Sequence, residues 1–473
     1  MEDISLCPGR HDGNVADSTQ TLRGLSTNKS FEDQDVIGIP VLKTIHESAL
    51  SVPLTTNQVR GFWAAWGGLV LDGMDSFIYA LVLLPAMRDL LPRSDIEPTI
   101  GNLGFYGSIL FSVFLLGWGC AFLWGPIADR FGRVRALIFA ILCYSVFTFL
   151  GCLAQNIWQL GLFRFLAGFG VGGEFVGAAV FVAEELPGRR RVSGAGYLNT
   201  GYYVGIFLAG ALNYLIGARL GWRAMFAVGL APALFVAYIR YHVREPERWT
   251  KRLESLGAWT ARDSFFALFS PEYRRRTTLN CIFLLVSMIG LWAGSVYVPG
   301  AATQVALREG YGSADAARIA SWATMLLATG TILGCLIMAP IANWLGRRGA
   351  LAFYFTLMAA SISLAFGYTF YPGHGGLRAF IACLFAVGVG GGSFAVQLLW
   401  LPEQYRSECR GSALAFATCI GRFVAAAGTL IVGAGIAHYG SIGVPVALTS
   451  LAFVFGLLFI PFGIETKNQP LPV

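Results

Sequence analysis

Residues 125–133 read Gly-Pro-Ile-Ala-Asp-Arg-Phe-Gly-Arg, and residues 339–347, which begin 214 positions later, read Ala-Pro-Ile-Ala-Asn-Trp-Leu-Gly-Arg. Each copy lies between two long apolar stretches. A charged loop that recurs at half-chain spacing between hydrophobic spans is typical of a duplicated membrane bundle. Bundles built from such repeats usually move solutes, so the repeat predicts both the architecture and the broad function.

The composition also indicates a membrane protein. Hydrophobic residues make up 55% of the 473 residues and charged residues 13%, against about a quarter charged in soluble domains. The net charge is +7, but the basic residues lie in short loops between apolar spans, which argues against a nucleic-acid partner. The nine cysteines show no metal spacing, so we expect reduced packing residues and no cofactor.

Twelve stretches are long and apolar enough to cross a membrane, since a helical crossing needs about 20 apolar residues. They are residues 61–87, 103–127, 136–154, 158–182, 193–217, 223–241, 277–300, 318–342, 350–371, 378–399, 411–436 and 443–464. Short polar breaks at the fourth and fifth leave eleven or thirteen open, but the repeat favours an even number.

These spans predict an all-α membrane protein with two pseudo-symmetric six-helix halves, residues 58–241 and 277–464. A polar tail (1–57), which we expect to be disordered, precedes them, a charged linker (242–276) joins them and a short tail (465–473) follows.

Lys and Arg are unevenly distributed over the loops. One set of loops, counted with the C-terminal tail, holds 20 Lys and Arg residues. The loops on the other side of the membrane hold seven. The richer set comprises residues 128–135, 184–192, 240–276, 343–349 and 400–410. Because positive loops remain inside, we expect both termini on the cytoplasmic side of the plasma (inner) membrane.

Five charged residues remain well inside the predicted spans. They are Asp72 and Asp75 of the first span, Arg164 and Glu174 of the fourth, and Arg422 of the eleventh. A charge at mid-membrane costs at least about 2.5–3.5 kcal/mol on insertion scales, so each of them should face a cavity or a partner.

Asp72 and Asp75 are three residues apart and share a helix face with Tyr79. Two carboxylates this close in a low-dielectric medium do not both ionise easily. We therefore predict that Asp75, near the middle of its span, or Asp72 carries a proton. The alternative is that one acid pairs permanently with an arginine inside the membrane.

The remaining charges each allow two roles. Arg164 begins the pattern Arg-x-x-x-Gly-x-Gly-x-Gly, whose glycines let another helix approach, and it either couples to a carboxylate or bonds backbone carbonyls as a strut. Arg422 requires an anion, which is either a protein carboxylate or that of a substrate. Glu174 either titrates or closes a polar network with Arg164, although ten positions, about 15 Å of helix, separate the two.

Polar and aromatic residues inside the spans are candidate liners of a cavity: Asn199, Tyr202, Tyr203, Trp292, Tyr297 and Gln397. Interhelical hydrogen bonding, or a place at the membrane interface, is the simpler explanation for each of them taken singly.

From about residue 58 to 465 the chain resembles the major facilitator superfamily. The loop at 125–133 is similar to the family's signature between its second and third helices, which latches the cytoplasmic side. The resemblance implies a gating role for residues of both copies: Gly125, Asp129, Arg130, Gly132, Arg133, Gly346 and Arg347. Asn343 stands where the first copy has Asp129, which implies a weaker latch.

Further motifs extend the resemblance. The stretch from Arg164 to Gly172 resembles the family's fourth-helix motif, which is linked to proton coupling in its symporters. Residues 245–249, and Pro402-Glu403 with Arg410-Gly411, resemble motifs of the sugar-porter-like branch.

A motif in the first predicted helix narrows the resemblance to particular groups within the family. Asp72-Gly73-Met74-Asp75 is similar to the Asp-Gly-x-Asp signature of carboxylic-acid–proton symporters, which include an aromatic-acid group and a sialate and lactate group. Gly172-Gly173-Glu174 and Gly421-Arg422 fit these groups as well.

The residues and the resemblance together predict a secondary transporter, expected as a monomer, that moves a small organic anion by proton symport with alternating access. Asp75, Asp72, Glu174 and Arg164 are the candidates for proton coupling. The candidates for substrate binding are Arg422, Tyr79, Gln397 and Trp292. A sugar or polyol porter is the alternative, since sugar porters share the other motifs.

Two further classes fit less well. A substrate-sensing receptor is disfavoured, because a large soluble domain would support that role and the tail and linker are too short to form one. An enzyme is not expected, since no Ser/His/Asp set, phosphate loop or metal cluster stands out in the sequence.

Overall fold

The computed structural model describes residues 54–124, 133–186, 188–234, 261–293, 295–371, 376–469 and 472. Most of the predicted N-terminal tail and most of the linker lie outside these residues. So does the first copy of the repeated loop up to residue 132, with the predicted gating residues Gly125, Asp129, Arg130 and Gly132. Arg133 begins a helix.

Helices account for the regular structure of the described residues. The main helices before residue 235 are α1 (Thr56–Leu90), α2 (Ile100–Gly119), α3 (Arg133–Gly151), α4 (Ile157–Glu185), α5 (Gly188–Leu212) and α6 (Trp222–Val228). Those after residue 270 are α7 (Arg274–Met288), α8 (Val298–Arg308), α9 (Ser313–Leu364), α10 (Gly376–Gly390), α11 (Ser393–Trp400), α12 (Ser407–Tyr439), α13 (Gly443–Leu448) and α14 (Ser450–Phe459).

Seven helical stretches among the described residues are long and apolar enough to cross a membrane. Two further apolar helices, Arg135–Gly151 and Trp222–Leu234, are shorter. The predicted linker is partly helical, because it contains a short helix (Ala261–Ala267) and the start of α7 at Arg274.

The second copy of the repeated loop is not an open loop. The predicted span 318–342 and most of the span 350–371 are parts of α9, which stays helical through Pro340 and has non-helical backbone angles at Gly346. A π-helical turn, Ala365–Thr369, continues the second span beyond α9. At Gly346 φ is 77°, in the left-handed region that glycine adopts at little cost. The helix thus has a kink at a single residue, which the repeat alone did not predict.

Small residues set the close approach of helices around the site. A Cβ at Gly73 of α1 would overlap the carbonyl oxygen of Tyr202 on α5, and one at Gly168 of α4 would overlap the carbonyl oxygen of Phe114 on α2. Glycine is required where backbones meet this closely. α2 also packs on α12, and α5 on α9, so helices from both parts of the chain surround one interior.

Candidate transport site

The five charged residues inside the predicted spans are all buried. Asp72 and Asp75 are 0% exposed, Arg164 is 1% exposed, and Glu174 and Arg422 are each 3% exposed. They come from α1, α4 and α12. Charges so far from water are expensive, so their neighbours indicate what each one does.

The side chain of Arg164 rests on aromatic rings. Its guanidinium carbon lies 4.0 Å from the ring centre of Phe114 and 4.9 Å from that of Tyr79. Its three side-chain nitrogens have no hydrogen-bond partner among the described residues. Cation–π contacts stabilise the charge in part, but the five N–H donors of a guanidinium still lack acceptors. The strut role, in which Arg164 would bond backbone carbonyls, therefore finds no support.

Arg422, a residue of α12, packs on an aromatic ring of α2 in the same way. Its guanidinium carbon is 4.0 Å from the ring centre of Trp118, and Nη1 donates to the carbonyl oxygen of Thr418 at 3.0 Å. Trp118 and Phe114 are four residues apart on α2, and their ring centres are 5.9 Å apart. The guanidinium groups of Arg164 and Arg422 therefore stack on neighbouring aromatic side chains of α2.

The rings beneath the two arginines belong to a larger group, called here the aromatic cluster: Phe77, Phe111, Phe114, Trp118, Tyr202 and Trp292. Trp292 lies at its centre, with ring-centre distances of 5.5 Å to Trp118, 5.8 Å to Phe111 and 6.0 Å to Tyr202. It is placed there by a π-helical turn, Ile289–Ala293, that follows α7. The predicted substrate residue Trp292 is thus packed against Trp118, the ring on which Arg422 rests.

The three acids come from α1 and α4. Arg422 acts electrostatically on Asp72, and Arg164 acts on Asp75. Glu174 lies against Gly68, one turn before Asp72 on α1, where a Cβ would overlap its carboxylate. Glu174 and Asp72 therefore face each other as two neighbouring acids.

Two of the residues predicted to bind substrate, Tyr79 and Gln397, donate hydrogen bonds to other helices or loops of the protein. The Tyr79 hydroxyl donates to the carbonyl oxygen of Gly107 at 2.9 Å. Nε2 of Gln397 donates to the carbonyl oxygen of Phe283 at 2.9 Å and to Oγ of Ser287 at 2.6 Å. Gln397 therefore ties α11 to α7 with its amide N–H groups, and only its Oε1 atom lacks a partner in the described structure.

Other predicted cavity liners also join helices. Nδ2 of Asn199 donates to Sγ of Cys335 at 3.4 Å, and the Tyr297 hydroxyl bonds the Ser108 hydroxyl. An apolar cavity borders the aromatic cluster at Phe77, Tyr202 and Trp292. Of the candidate liners, Tyr202, Tyr203 and Trp292 line it.

Sequence reasoning missed Phe114 and Trp118. Their only signal is an aromatic pair at positions i and i+4 in an apolar helix, which is equally typical of residues that face lipid. The two residues are distinguished by the nearby Gly117 and Gly168, at which α2 and α4 approach each other closely. A Cβ at either glycine would overlap the backbone of the facing helix.

Arg347 of the second loop copy forms an ion pair with an acidic residue outside that loop, Glu403. Its Nη2 lies 2.9 Å from Oε1 of Glu403, and its Nε donates to Oε2 at 3.0 Å. Thr466 also donates to Glu403 at 2.6 Å. Glu465 accepts from the backbone N–H of Arg347 at 2.9 Å, beside Gly346. Arg347 thus has an acidic partner outside the loop copy, Glu403.

Comparison with known proteins shows the family of this chain. A sequence model described as the Major Facilitator Superfamily matches residues 65–317. The probable 4-methylmuconolactone transporter of Cupriavidus pinatubonensis is 28% identical over 419 residues, 87% of this chain and 91% of that protein. The cis,cis-muconate transport protein of Acinetobacter baylyi is 27% identical over 417 residues, 86% of this chain and 95% of that protein.

A solved structure shares the fold. The proton:xylose symporter XylE bound to 6-bromo-6-deoxy-D-glucose superposes with a TM-score of 0.65 at 20% identity, covering 88% of this chain and 98% of that one. The helices and the family match define a multi-pass membrane transporter, and not an enzyme. The chain belongs to the Major Facilitator Superfamily, as its motifs predict.

Proposed function

We propose that this transporter carries a small organic (carboxylic) acid together with protons, by alternating access of two six-helix halves. The halves are residues 58–241 and 277–464, with twelve spans in all. Both termini lie on the cytoplasmic side of the inner membrane, as the distribution of Lys and Arg over the loops indicates. We propose that it acts as a monomer, as the resemblance to the family implies.

The observation that carries this proposal is the pair of buried arginines on the aromatic cluster. A guanidinium is always charged and presents a planar fork that matches a carboxylate. Arg164 has no protein acceptor among the described residues, and Arg422 comes from the opposite half of the chain. A carboxylate bound between them, with its apolar body against the rings, satisfies both requirements.

A neutral sugar fits this site less well. Recognition of a polyol needs several free donors and acceptors, because each hydroxyl that is buried without a partner costs free energy. The amide N–H groups of Gln397 and Asn199 are already engaged between helices. Two relatives are named for muconate and methylmuconolactone, both of which carry a carboxyl group.

In this mechanism Asp72, Asp75 and Glu174 handle protons, and Arg164 adjusts the charge of Asp75. Arg422 docks the substrate carboxylate, with Trp292 and the other rings against its body. Binding of both ions removes the cost of moving bare charge through a low-dielectric intermediate. The two loop copies, with Asp129 and Arg133 in the first and Arg347 in the second, then act as latches of the cytoplasmic side.

The substrate class is tested by tracer counterflow in proteoliposomes, with benzoate, lactate, sialate, cis,cis-muconate and glucose as probes. We expect exchange of at least one acid and none of glucose. Arg422→Gln should abolish that exchange, whereas Arg318→Gln, whose side chain is 40% exposed, should retain it. Glucose exchange that survives Arg422→Gln contradicts the proposal and favours a sugar porter.

A further inference from the structure

We propose that the end of α14 binds an anionic phospholipid of the cytoplasmic leaflet, whose phosphate bridges Arg275 of α7 and Arg348 of α9 while its acyl chains lie along α14. This inference goes beyond the proposed function, because it concerns the outer surface of the second half of the chain and not the transport site. It shares with that proposal only the cytoplasmic placement of the C-terminal end.

The first observation is an apolar stripe on the outer surface of α14 and the turn that follows it. Leu451, Phe455, Leu458 and Phe462 succeed one another at spacings of three or four residues and are 49% to 66% exposed. Residues at these spacings share one helix face. From Leu451 to Phe462 the rise is about 16 Å, which is close to half of a hydrocarbon core of about 30 Å. The acyl chain of a lipid in one leaflet therefore fits along the stripe.

The opposite face of α14 packs between α7 and α9. A Cβ at Gly456 would lie 2.7 Å from a ring carbon of Phe355 on α9 and 2.9 Å from Cγ1 of Val286 on α7. The ring centres of Phe453 and Phe355 are 5.4 Å apart. The two helices that flank α14 are thus fixed by packing, and each of them brings an arginine to its end.

These two arginines meet at the end of the stripe. Nη2 of Arg275, in the first turn of α7, donates to the carbonyl oxygen of Phe462 at 3.4 Å. Nη2 of Arg348, just after the kink in α9, donates to the carbonyl oxygen of Pro461 at 2.7 Å. The two carbonyl groups are consecutive in the 3₁₀ turn Ile460–Phe462. Each guanidinium has five N–H donors, so donors remain for an anion between the two.

The acids of this region do not neutralise the pair. Glu403 pairs with Arg347, and Glu465 accepts from the backbone N–H groups of Arg347 and Arg348 at 2.9 Å and 3.1 Å. Among the residues that the structure describes, neither Arg275 nor Arg348 forms an ion pair with a carboxylate. A phosphate matches the fork of a guanidinium and would compensate both charges.

A phospholipid supplies the anion and the apolar chain together. Trp344, which is 79% exposed, lies in the second loop copy, and Nζ of Lys467 donates to its carbonyl oxygen at 3.1 Å. Tryptophan and basic residues at one end of an apolar helix surface are typical of the membrane–water interface, where anionic headgroups lie. A soluble anion would use the cations and leave the stripe unused.

The test compares two lipids on the delipidated full chain in detergent. Phosphatidylglycerol and phosphatidylcholine with identical acyl chains are titrated separately, and bound lipid is counted by native mass spectrometry. We expect phosphatidylglycerol to bind about tenfold or more tightly. It should also raise the midpoint of thermal unfolding, because a ligand of the folded state stabilises that state. Equal binding of the two lipids overturns the inference.

Variants locate the site. Arg275→Gln and Arg348→Gln should each lower the affinity for phosphatidylglycerol about fivefold and leave that for phosphatidylcholine unchanged. The double variant Arg275→Lys, Arg348→Lys keeps both charges and should keep most of the preference. Arg60→Gln, which removes an exposed cation near the start of α1, is the matched control and should bind as wild type. An equal loss in Arg60→Gln would show attraction by overall charge and contradict the site. Because bound lipid is counted on folded protein, Arg275→Gln decides the question even where Arg348→Gln lowers the yield.

Other occupants of this surface give different results. Glycerol 3-phosphate carries the phosphate without acyl chains and should not raise the unfolding midpoint where phosphatidylglycerol does; an equal rise identifies a free-anion site and overturns the inference. A midpoint that rises with protein concentration, and not with lipid, identifies a second copy of the chain against α14 and also overturns it. Leu458→Asn should weaken phosphatidylglycerol binding, and unchanged binding contradicts the placement of the acyl chains along α14.

Discussion

The guanidinium of Arg422 lies 4.0 Å from the ring centre of Trp118, so a cation of α12 rests on an aromatic side chain of α2. The two residues belong to the parts of the chain on either side of the linker. Their contact therefore joins these two parts of the chain at the candidate site.

Trp118→Leu should weaken acid binding, because it removes the ring on which Arg422 rests. A desolvated cation–π contact contributes about 2 kcal/mol, so the KM for transport should rise about tenfold or more. Trp118→Phe should recover most of the loss. Trp158→Leu, at a position that is 64% exposed, is the matched control. An unchanged KM in Trp118→Leu would show that the ring does not position Arg422.

Gly73→Ala should destabilise the protein, since the added Cβ would overlap the carbonyl oxygen of Tyr202. Overpacking typically costs about 1–3 kcal/mol, and here it also moves the two flanking aspartates. The midpoint of thermal unfolding in detergent should fall, and transport with it. Gly367→Ala is the control, because its Cβ would meet no atom closer than 3.8 Å. Equal midpoints for the two variants contradict this account of α1–α5 packing.

Arg347→Ala should strongly destabilise the part of the chain after the linker. The side chains of Arg347 and Glu403 are 5% and 7% exposed, so removing one leaves the other charge buried and unpaired. That loss is typically about 3–5 kcal/mol, and thermal unfolding should report it. The double variant with Glu403→Gln should regain part of the stability. Arg318→Ala breaks an exposed pair and should cost about 1 kcal/mol or less.

Asp89, at the end of α1 beyond the predicted span, gives a pH-dependent contribution to stability. Burial raises the pKa of Asp89, but the hydrogen bond and charge of Arg223, followed by those of Arg93, outweigh it and hold the pKa below its usual value. A lowered pKa stabilises the fold above the unfolded-state value, about 3.9, and this contribution is lost as pH falls through the folded-state pKa. The unfolding midpoint of wild type should exceed that of Asp89→Asn at pH 7, and the difference should shrink towards pH 3. A difference that is constant with pH contradicts this assignment.

Much of the architecture could be predicted because membrane helices obey simple rules of length and charge. The five buried charges were evident for the same reason, since a charge inside an apolar span is rare and readily recognised. The repeated loop indicated duplication, but not that α9 would pass through its second copy with a kink at Gly346.

The rest depended on which helix faces which. Nothing in the sequence near Trp118 indicates that Arg422, 304 positions later, packs on its ring. Trp118 looks like any aromatic residue of an apolar span until α12 is placed on α2. Gln397 allowed both a cavity-lining and an interhelical role, and the sequence did not indicate that its donors engage Phe283 and Ser287. Periodicity and spacing do not encode such tertiary pairings.

The most direct test of proton-coupled acid transport is the external pH of a weakly buffered suspension of proteoliposomes after benzoate or cis,cis-muconate is added. We expect alkalinisation outside as protons enter with the acid, and no pH change when glucose is added. The signal should disappear in Asp72→Asn, Asp75→Asn double-variant vesicles. Entry of the acid tracer without any pH change, or an equal signal from the double variant, would contradict proton symport through these aspartates.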